Sequence, residues 1–160
     1  RAFLPGGPFA VRLATYGLTY RSADAIFVHG GILPQHLREL ERMESESQAW
    51  LRDERRIPTD VALHPDSPLW TRRYSISPGA RACAEVARTL DAEGLSRMVV
   101  AHTVQDDGIT SYCSGRVIAI DCGLSSYYGG PVQVLELRAG VVRVLSARGA
   151  PRTLPAVDPR

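Results

Sequence analysis

The chain has 160 residues, 44% of them hydrophobic, and its 19 basic and 17 acidic side chains leave a formal net charge of +2. That length suits one domain able to bury about two-thirds of its unfolded surface. The small charge, with arginines scattered instead of lining one face between aromatics, argues against a nucleic-acid partner. No apolar run approaches the roughly 20 residues of a membrane span and no charged-then-apolar leader opens the chain, so a soluble, intracellular and cytoplasmic protein without a membrane partner is expected. The basic residues are all arginine, and neither lysine nor asparagine occurs. The chain starts at Arg1 and opens in mid-pattern with Leu4-Pro5-Gly6-Gly7-Pro8, which reads as a fragment or processed piece and leaves an organellar location open. Cys83, Cys113 and Cys122 are odd in number and lack C-x-x-C spacing, so neither a disulfide framework nor a zinc knuckle is expected, and a reducing compartment fits.

In chain order, Pro8 suits the first turn of a short helix whose apolar face is Phe9, Val11, Leu13 and Ala14, ended by Tyr16-Gly17. Residues 25 to 28 form the first clear strand. Pro34 opens a helix to about Glu54, with Leu37, Leu40, Met43, Ser47, Trp50 and Leu51 near helical spacing, a solvated amphipathic helix covering the sheet. Pro58, Pro65, Pro68 and Pro78 pin residues 57 to 79 as a loop centred on Leu69-Trp70-Thr71-Arg72-Arg73-Tyr74. A helix over about 78–93 buries Ala82, Val86, Ala87 and Leu90 and stops at Gly94, and a strand follows over 97–101. Four short extended runs, about 109–113, 116–121, 132–138 and 141–146, then read as a β meander, and the proline-rich end from 151 to 160 reads as a frayed tail. The fold class is α/β (α+β), a layered mixed β-sheet with flanking helices, in one domain over 1–150.

Two of the apolar runs end in histidine, Phe27-Val28-His29-Gly30-Gly31 and Val99-Val100-Ala101-His102-Thr103. Ligands collect beyond the carboxyl ends of buried strands, so imidazoles there are ready metal ligands. Each alone reads more readily as a capped structural residue than as a ligand; the pair in two similar settings brings the ligand reading level with it. Gly30 and Gly31 let the backbone turn sharply and approach a ligand closely. His36, in the first turn of the long helix, and His64, in the proline loop, read as solvent-facing. Asp106-Asp107-Gly108 reads as a turn, and Cys113 and Cys122 as apolar packing on adjacent strands.

Four blocks carry a resemblance to a known family. Phe27-Val28-His29-Gly30-Gly31-Ile32 looks like F-V-H-G-G-[IL], Pro68-Leu69-Trp70-Thr71-Arg72 like P-L-W-x-R, and Val99-Val100-Ala101-His102-Thr103 like V-V-G-H-T. Ile120-Asp121-Cys122-Gly123-Leu124-Ser125-Ser126-Tyr127-Tyr128-Gly129-Gly130 looks like I-D-x-G-[LM]-S-x-Y-Y-G-G. With this order and spacing the chain resembles the C-terminal half of a calcineurin-like metallophosphoesterase β-sandwich, in the Shewanella-like branch of the phosphoprotein phosphatases.

The resemblance implies a metal-dependent hydrolase of phosphate monoesters, acting on phosphorylated proteins (Ser/Thr or Tyr) or small phosphoesters. Two divalent ions of Mn, Fe or Zn would hold a bridging hydroxide that attacks phosphorus. It implies that His29 and His102 ligate one metal and that Arg72, rather than Arg73, holds phosphate oxygens. Asp121 orients a ligand imidazole or caps a local turn. Tyr127 and Tyr128 edge the substrate cleft, with core packing the alternative for at least one of them.

The family's G-D-x-H-G, G-D-x-x-D-R-G and G-N-H-[ED] motifs are absent, and Ala101 stands where glycine is usual. The chain alone is therefore expected to hold at most one partial metal site and to be inactive. Two alternatives remain: a dinucleotide polyphosphate or phosphodiester hydrolase of the same superfamily, with the Trp-Thr-Arg loop as a base shelf, and a non-catalytic pseudophosphatase or partner-binding module.

Overall fold

The computed structural model describes residues 1–22 and 24–157. Its first helix, α1 (Pro8–Leu13), starts where Pro8 presets the helical φ and Gly7 stands extended as the N-cap. Next comes a strand that no apolar run announces, β1 (Thr19–Ser22), largely exposed and held by antiparallel pairing with β2 (Ala25–Val28).

The helix expected from Pro34 to Glu54 is divided into a 3-10 turn, Pro34–His36, and α2 (Leu40–Leu51), because Glu39 leaves helical geometry at φ −120°. That turn folds onto the core, so His36, expected to face solvent, is only 4% exposed. Its Nδ1 accepts the Leu33 N–H at 3.2 Å. His64 is exposed as expected. Within the proline-pinned segment a single helical turn forms, α3 (Asp60–Leu63), and α4 (Ala80–Ala92) follows, burying Ala82, Val86, Ala87 and Leu90.

The remaining strands are β3 (Arg97–Val100), β4 (Thr110–Tyr112), β5 (Val117–Ala119), β6 (Gln133–Arg138), β7 (Val141–Ser146) and β8 (Arg152–Thr153). They make two sheets of order β1-β2-β3-β5-β4 and β6-β7-β8. β2, β3 and β5 run parallel in the centre, with β1 and β4 antiparallel at the edges. The late meander is therefore split: β5 is buried throughout and joins β3, while β6 to β8 form a separate antiparallel sheet.

Alternation along a strand sends successive side chains to opposite faces. Ile26, Val28, Met98, Val100, Val117 and Ala119 pack with Val86 and Leu90 of α4. On the other face Ile118 meets Val142, Val144 and Leu154 of the second sheet. The molecule is thus a mixed sheet layered with helices and a second sheet, the fold class expected. Two details differ. Where the sequence suggests fraying from 151, β8 pairs with β7 and Leu154 is 4% exposed, because its side chain fills the second core; residues 158–160 lie outside the described residues. Cys83 and Cys113 form a disulfide, correcting the expectation of none and removing the support it lent to a reducing compartment. Its partners are 30 residues apart, joined only because α4 begins over the turn between β4 and β5. Cys122 is free and buried in the second core, the apolar packing expected of it, whereas Cys113 is bonded to Cys83. Among the described residues no helix is long and apolar enough to cross a membrane.

Candidate active site

Parallel strands deliver their carboxyl ends to the same sheet edge, and here Val28 is in register with Val100. The Ala101 N–H donates to His29 O at 2.8 Å, extending the pairing one residue beyond the strands. His29 and His102 consequently face each other with ring centroids 5.0 Å apart and planes at 54°. Trp70 stands edge-on to His102 at 5.3 Å, and its indole N–H donates to Ala62 O at 2.8 Å. The left-handed backbone of this turn falls on His102, at φ +60°, not on Ala101.

Arg72 reaches the site because its loop lies directly on the end of β2. Pro68 O accepts the N–H groups of Gly30 at 2.7 Å and Gly31 at 3.1 Å. A Cβ on Gly30 would stand 2.8 Å from both Leu69 O and Thr71 O, closer than real Cβ atoms come. Gly30 is thus required by the approach of the chain's own loop. Arg72 Nη1 donates to His102 O and Thr103 Oγ1, each at 3.0 Å. Its Nε and Nη2 have no protein hydrogen-bond partner among the described residues. Arg73 is committed elsewhere, forking onto Glu85 at 2.8 and 2.9 Å. Glu85 accordingly keeps a carboxyl below its usual range, held there first by Arg73.

Electrostatics favour neutral imidazoles. Burial lowers the pKa of His29, with Asp121 opposing and Arg72 reinforcing the shift. Burial also lowers that of His102, with further lowering by Arg72 and His29 against Asp121. A neutral imidazole exposes a nitrogen lone pair, and among the described residues no protein group hydrogen bonds a ring nitrogen of either histidine. Asp121 is close enough to act on both rings through charge, while its Oδ1 accepts the Gly123 N–H at 3.2 Å, a turn-capping bond. Tyr127 and Tyr128 are not core residues, at 85% and 60% exposed. They pack edge-on against each other at 5.0 Å, and no hydrogen bond or ring contact joins Tyr127 to His29, His102 or Arg72. Among the described residues no three His, Cys, Asp or Glu side chains come together as a metal-holding group. The donors brought together are therefore the two imidazoles.

Two features were not readable from sequence. The hydroxyls of Ser75 and Thr103, 2.7 Å apart, support Arg72 from below, and small polar residues in a loop carry no distinguishing signal. Beside His29, α2 stands off the sheet instead of covering it and buries no residue fully. It leaves an apolar cavity of about 570 Å³ lined by Phe27, Val99, Ala101, Trp50 and Leu69.

Known proteins resemble this chain in sequence and in fold. Over 144 residues the chain is 34% identical to Shewanella-like protein phosphatase 2 of Arabidopsis thaliana, a match spanning 86% of the chain and 37% of that protein. The chain is related to the Shewanella-like phosphatases. It is also 28% identical over 132 residues to an uncharacterised protein of Schizosaccharomyces pombe, spanning 78% of the chain and 40% of that protein. Among solved structures, a cold-active protein tyrosine phosphatase superposes with a TM-score of 0.71 at 20% identity, covering 88% of this chain and 43% of the other. One from a psychrophilic Shewanella species superposes with a TM-score of 0.70 at 21% identity, covering 89% and 44%. These structural likenesses establish the shared fold. No family model matches the chain. The chain thus spans about two-fifths of the length of these two relatives.

Proposed function

We propose that the chain forms part of a metal-dependent phosphatase that hydrolyses phosphate monoesters of phosphorylated proteins, with His29 and His102 as ligands of one metal and Arg72 as the phosphate-binding residue. The observation that carries this reading is the convergence of two imidazoles, 5.0 Å apart and with pKa values lowered by burial, beside a guanidinium that forms no ion pair among the described residues. The 34% identity over 144 residues to a relative named a protein phosphatase supports it.

The donor set fits a divalent ion of the Mn, Fe or Zn kind: burial keeps both rings neutral, and their nitrogens are not consumed by the protein. Two ligands fall short of the three or four that zinc takes, so the set is partial and a second ion would need donors from outside the described residues. When bound, such ions supply Lewis-acid charge neutralisation and a water acidic enough to act as nucleophile near neutral pH.

The chain's own residues do the rest. Arg72 is held through Nη1 alone, leaving Nε and Nη2 to fork onto non-bridging phosphate oxygens. Its positive charge offsets that of the phosphate, lowering the cost of approach by an anionic nucleophile. Asp121 biases the rings by charge, countering the effect of burial. Tyr127, exposed on the 122–130 turn, is the outer contact for substrate in this reading.

Hydrolysis of p-nitrophenyl phosphate with Mn²⁺ by the full-length protein tests this assignment. His29→Ala, His102→Ala and Arg72→Ala should each lower kcat/KM by about 10²-fold or more. Parental rates in all three would overturn it.

A further inference from the structure

We propose that Gln105 is a positioning residue for Arg72, an inference that rests on the phosphate-holding reading of that arginine. Gln105 is 6% exposed and lies behind the site, three residues after His102. Its carboxamide is fully used. Nε2 donates to Ser75 O at 3.1 Å and to Thr103 O at 2.8 Å, while Oε1 accepts the Tyr112 hydroxyl proton at 2.7 Å. Its main chain is used as well, the N–H donating to Asp121 O at 2.8 Å and the carbonyl accepting the Gly108 N–H at 3.1 Å.

One side chain therefore ties together the loop that carries Arg72, the turn that carries His102, and strand β4. Its backbone adds Asp121 to the same knot. The orientation of the amide is dictated by its surroundings: two carbonyls demand the NH₂ end, and the hydroxyl of Tyr112 can then serve the oxygen. Reversing the amide would set an oxygen against two carbonyl oxygens in a buried place, a large penalty.

The dependence runs through named atoms. Arg72 is anchored by Nη1 to His102 O and Thr103 Oγ1, and Thr103 Oγ1 is 2.7 Å from Ser75 Oγ. Gln105 holds the carbonyls of those same two residues, Thr103 and Ser75. Each hydroxyl that steadies the guanidinium thus belongs to a residue whose backbone Gln105 grips. Removing that grip frees the loop of Arg72 to move relative to His102, and small displacements of a charge-binding group are expensive in rate.

Gln105→Glu keeps the shape but removes both donors and sets a carboxylate against two carbonyls. Tyr112→Phe leaves both donors in place and removes only the hydroxyl that satisfies the amide oxygen. In the full-length protein, with p-nitrophenyl phosphate as substrate and inorganic phosphate as competitor, Gln105→Glu should raise the phosphate inhibition constant about tenfold and Tyr112→Phe about two- to threefold. Both increments should vanish in an Arg72→Ala background, as expected for residues acting through one another. In side-chain NMR the nuclear Overhauser effect between Arg72 and Thr103 should disappear in Gln105→Glu, while the one between Arg73 and Glu85 persists. Should Gln105→Glu fail to fold, Tyr112→Phe carries the same comparison. Parental inhibition constants, or equal increments with and without Arg72, would overturn the proposal. Disappearance of the Arg72–Thr103 effect together with parental activity in Arg72→Ala would support the tether and overturn the phosphate-holding reading instead.

Discussion

His29 and His102 end neighbouring strands with rings 5.0 Å apart, whereas His36 and His64 border a small polar cleft with Glu39, Asp60 and Asp66. Both regions set imidazoles near carboxylates, and burial lowers the pKa of His36 as it does those of the first pair, against Asp66 and Glu39. They differ in how the ring nitrogens are used. His36 Nδ1 accepts the Leu33 N–H and His64 Nδ1 the Asp66 N–H, so these rings close local turns. At the strand ends the backbone is satisfied by strand pairing and by Pro68 O, which leaves the imidazoles uncommitted. A histidine is available for chemistry where the backbone around it meets its own hydrogen-bond needs.

The sharpest way to break this contrast is to compare the pairs in one assay. A fall of about 10²-fold or more in phosphatase kcat/KM is expected for His29→Ala and His102→Ala, and change within about twofold for His64→Ala and His36→Asn. An equal fall from His64→Ala would erase the distinction. Next in size is the disulfide, which fastens the helix after the Arg72 loop to the turn beyond Tyr112. With its cysteines 30 residues apart, Cys83→Ser should cost about 3 to 4 kcal/mol of unfolding free energy in urea titration, and a reductant should then have no further effect. Gly30→Ala drives a methyl into two carbonyl oxygens, so a loss of about 2 to 3 kcal/mol is expected. The same substitution at Gly94, where added bulk meets nothing within 4 Å, is strained only by its φ of +65°, and should cost less.

The smallest effect concerns His36. Because its folded pKa lies below the ordinary 6.5, the unfolded chain binds the proton more readily, and stability falls as pH drops below 6.5 until the lowered pKa is passed. His36→Asn keeps an acceptor for the Leu33 amide and removes the titration, so the difference in urea midpoint between parent and variant should narrow on acidification. A gap that is constant from pH 7.5 to 5 would contradict burial as the cause.

How much of this was legible from residues alone varies by element. The apolar runs at 25–28 and 97–101 read as buried strands, and their histidines as a pair, because a short continuous run bounded by turn formers has few other uses. Strand β1 escaped because Thr-Tyr-Arg-Ser is mostly exposed and owes its extension to a partner. Gly30 and Gly31 stood out, but for the wrong neighbour: a ligand was expected where the chain's own 68–71 segment lies. Arg72 and Arg73 are adjacent and chemically identical, and the fork of Glu85 onto Arg73 separates them.

Local order along the chain therefore determined most of the strands and helices, where histidines meet the sheet edge, and the succession of blocks that carries the family resemblance. Pattern encodes burial over a few residues, and that suffices for such features. Tertiary structure alone decided that Cys83 finds Cys113, that His36 is enclosed, that the late strands divide between two sheets, and that Gln105 grips the loop of Arg72. Each of these depends on groups 30 or more residues apart in sequence or on which face of a layer a segment lands. No short-range periodicity records that choice; it is made by the packing that satisfies buried hydrogen bonds and fills the core together.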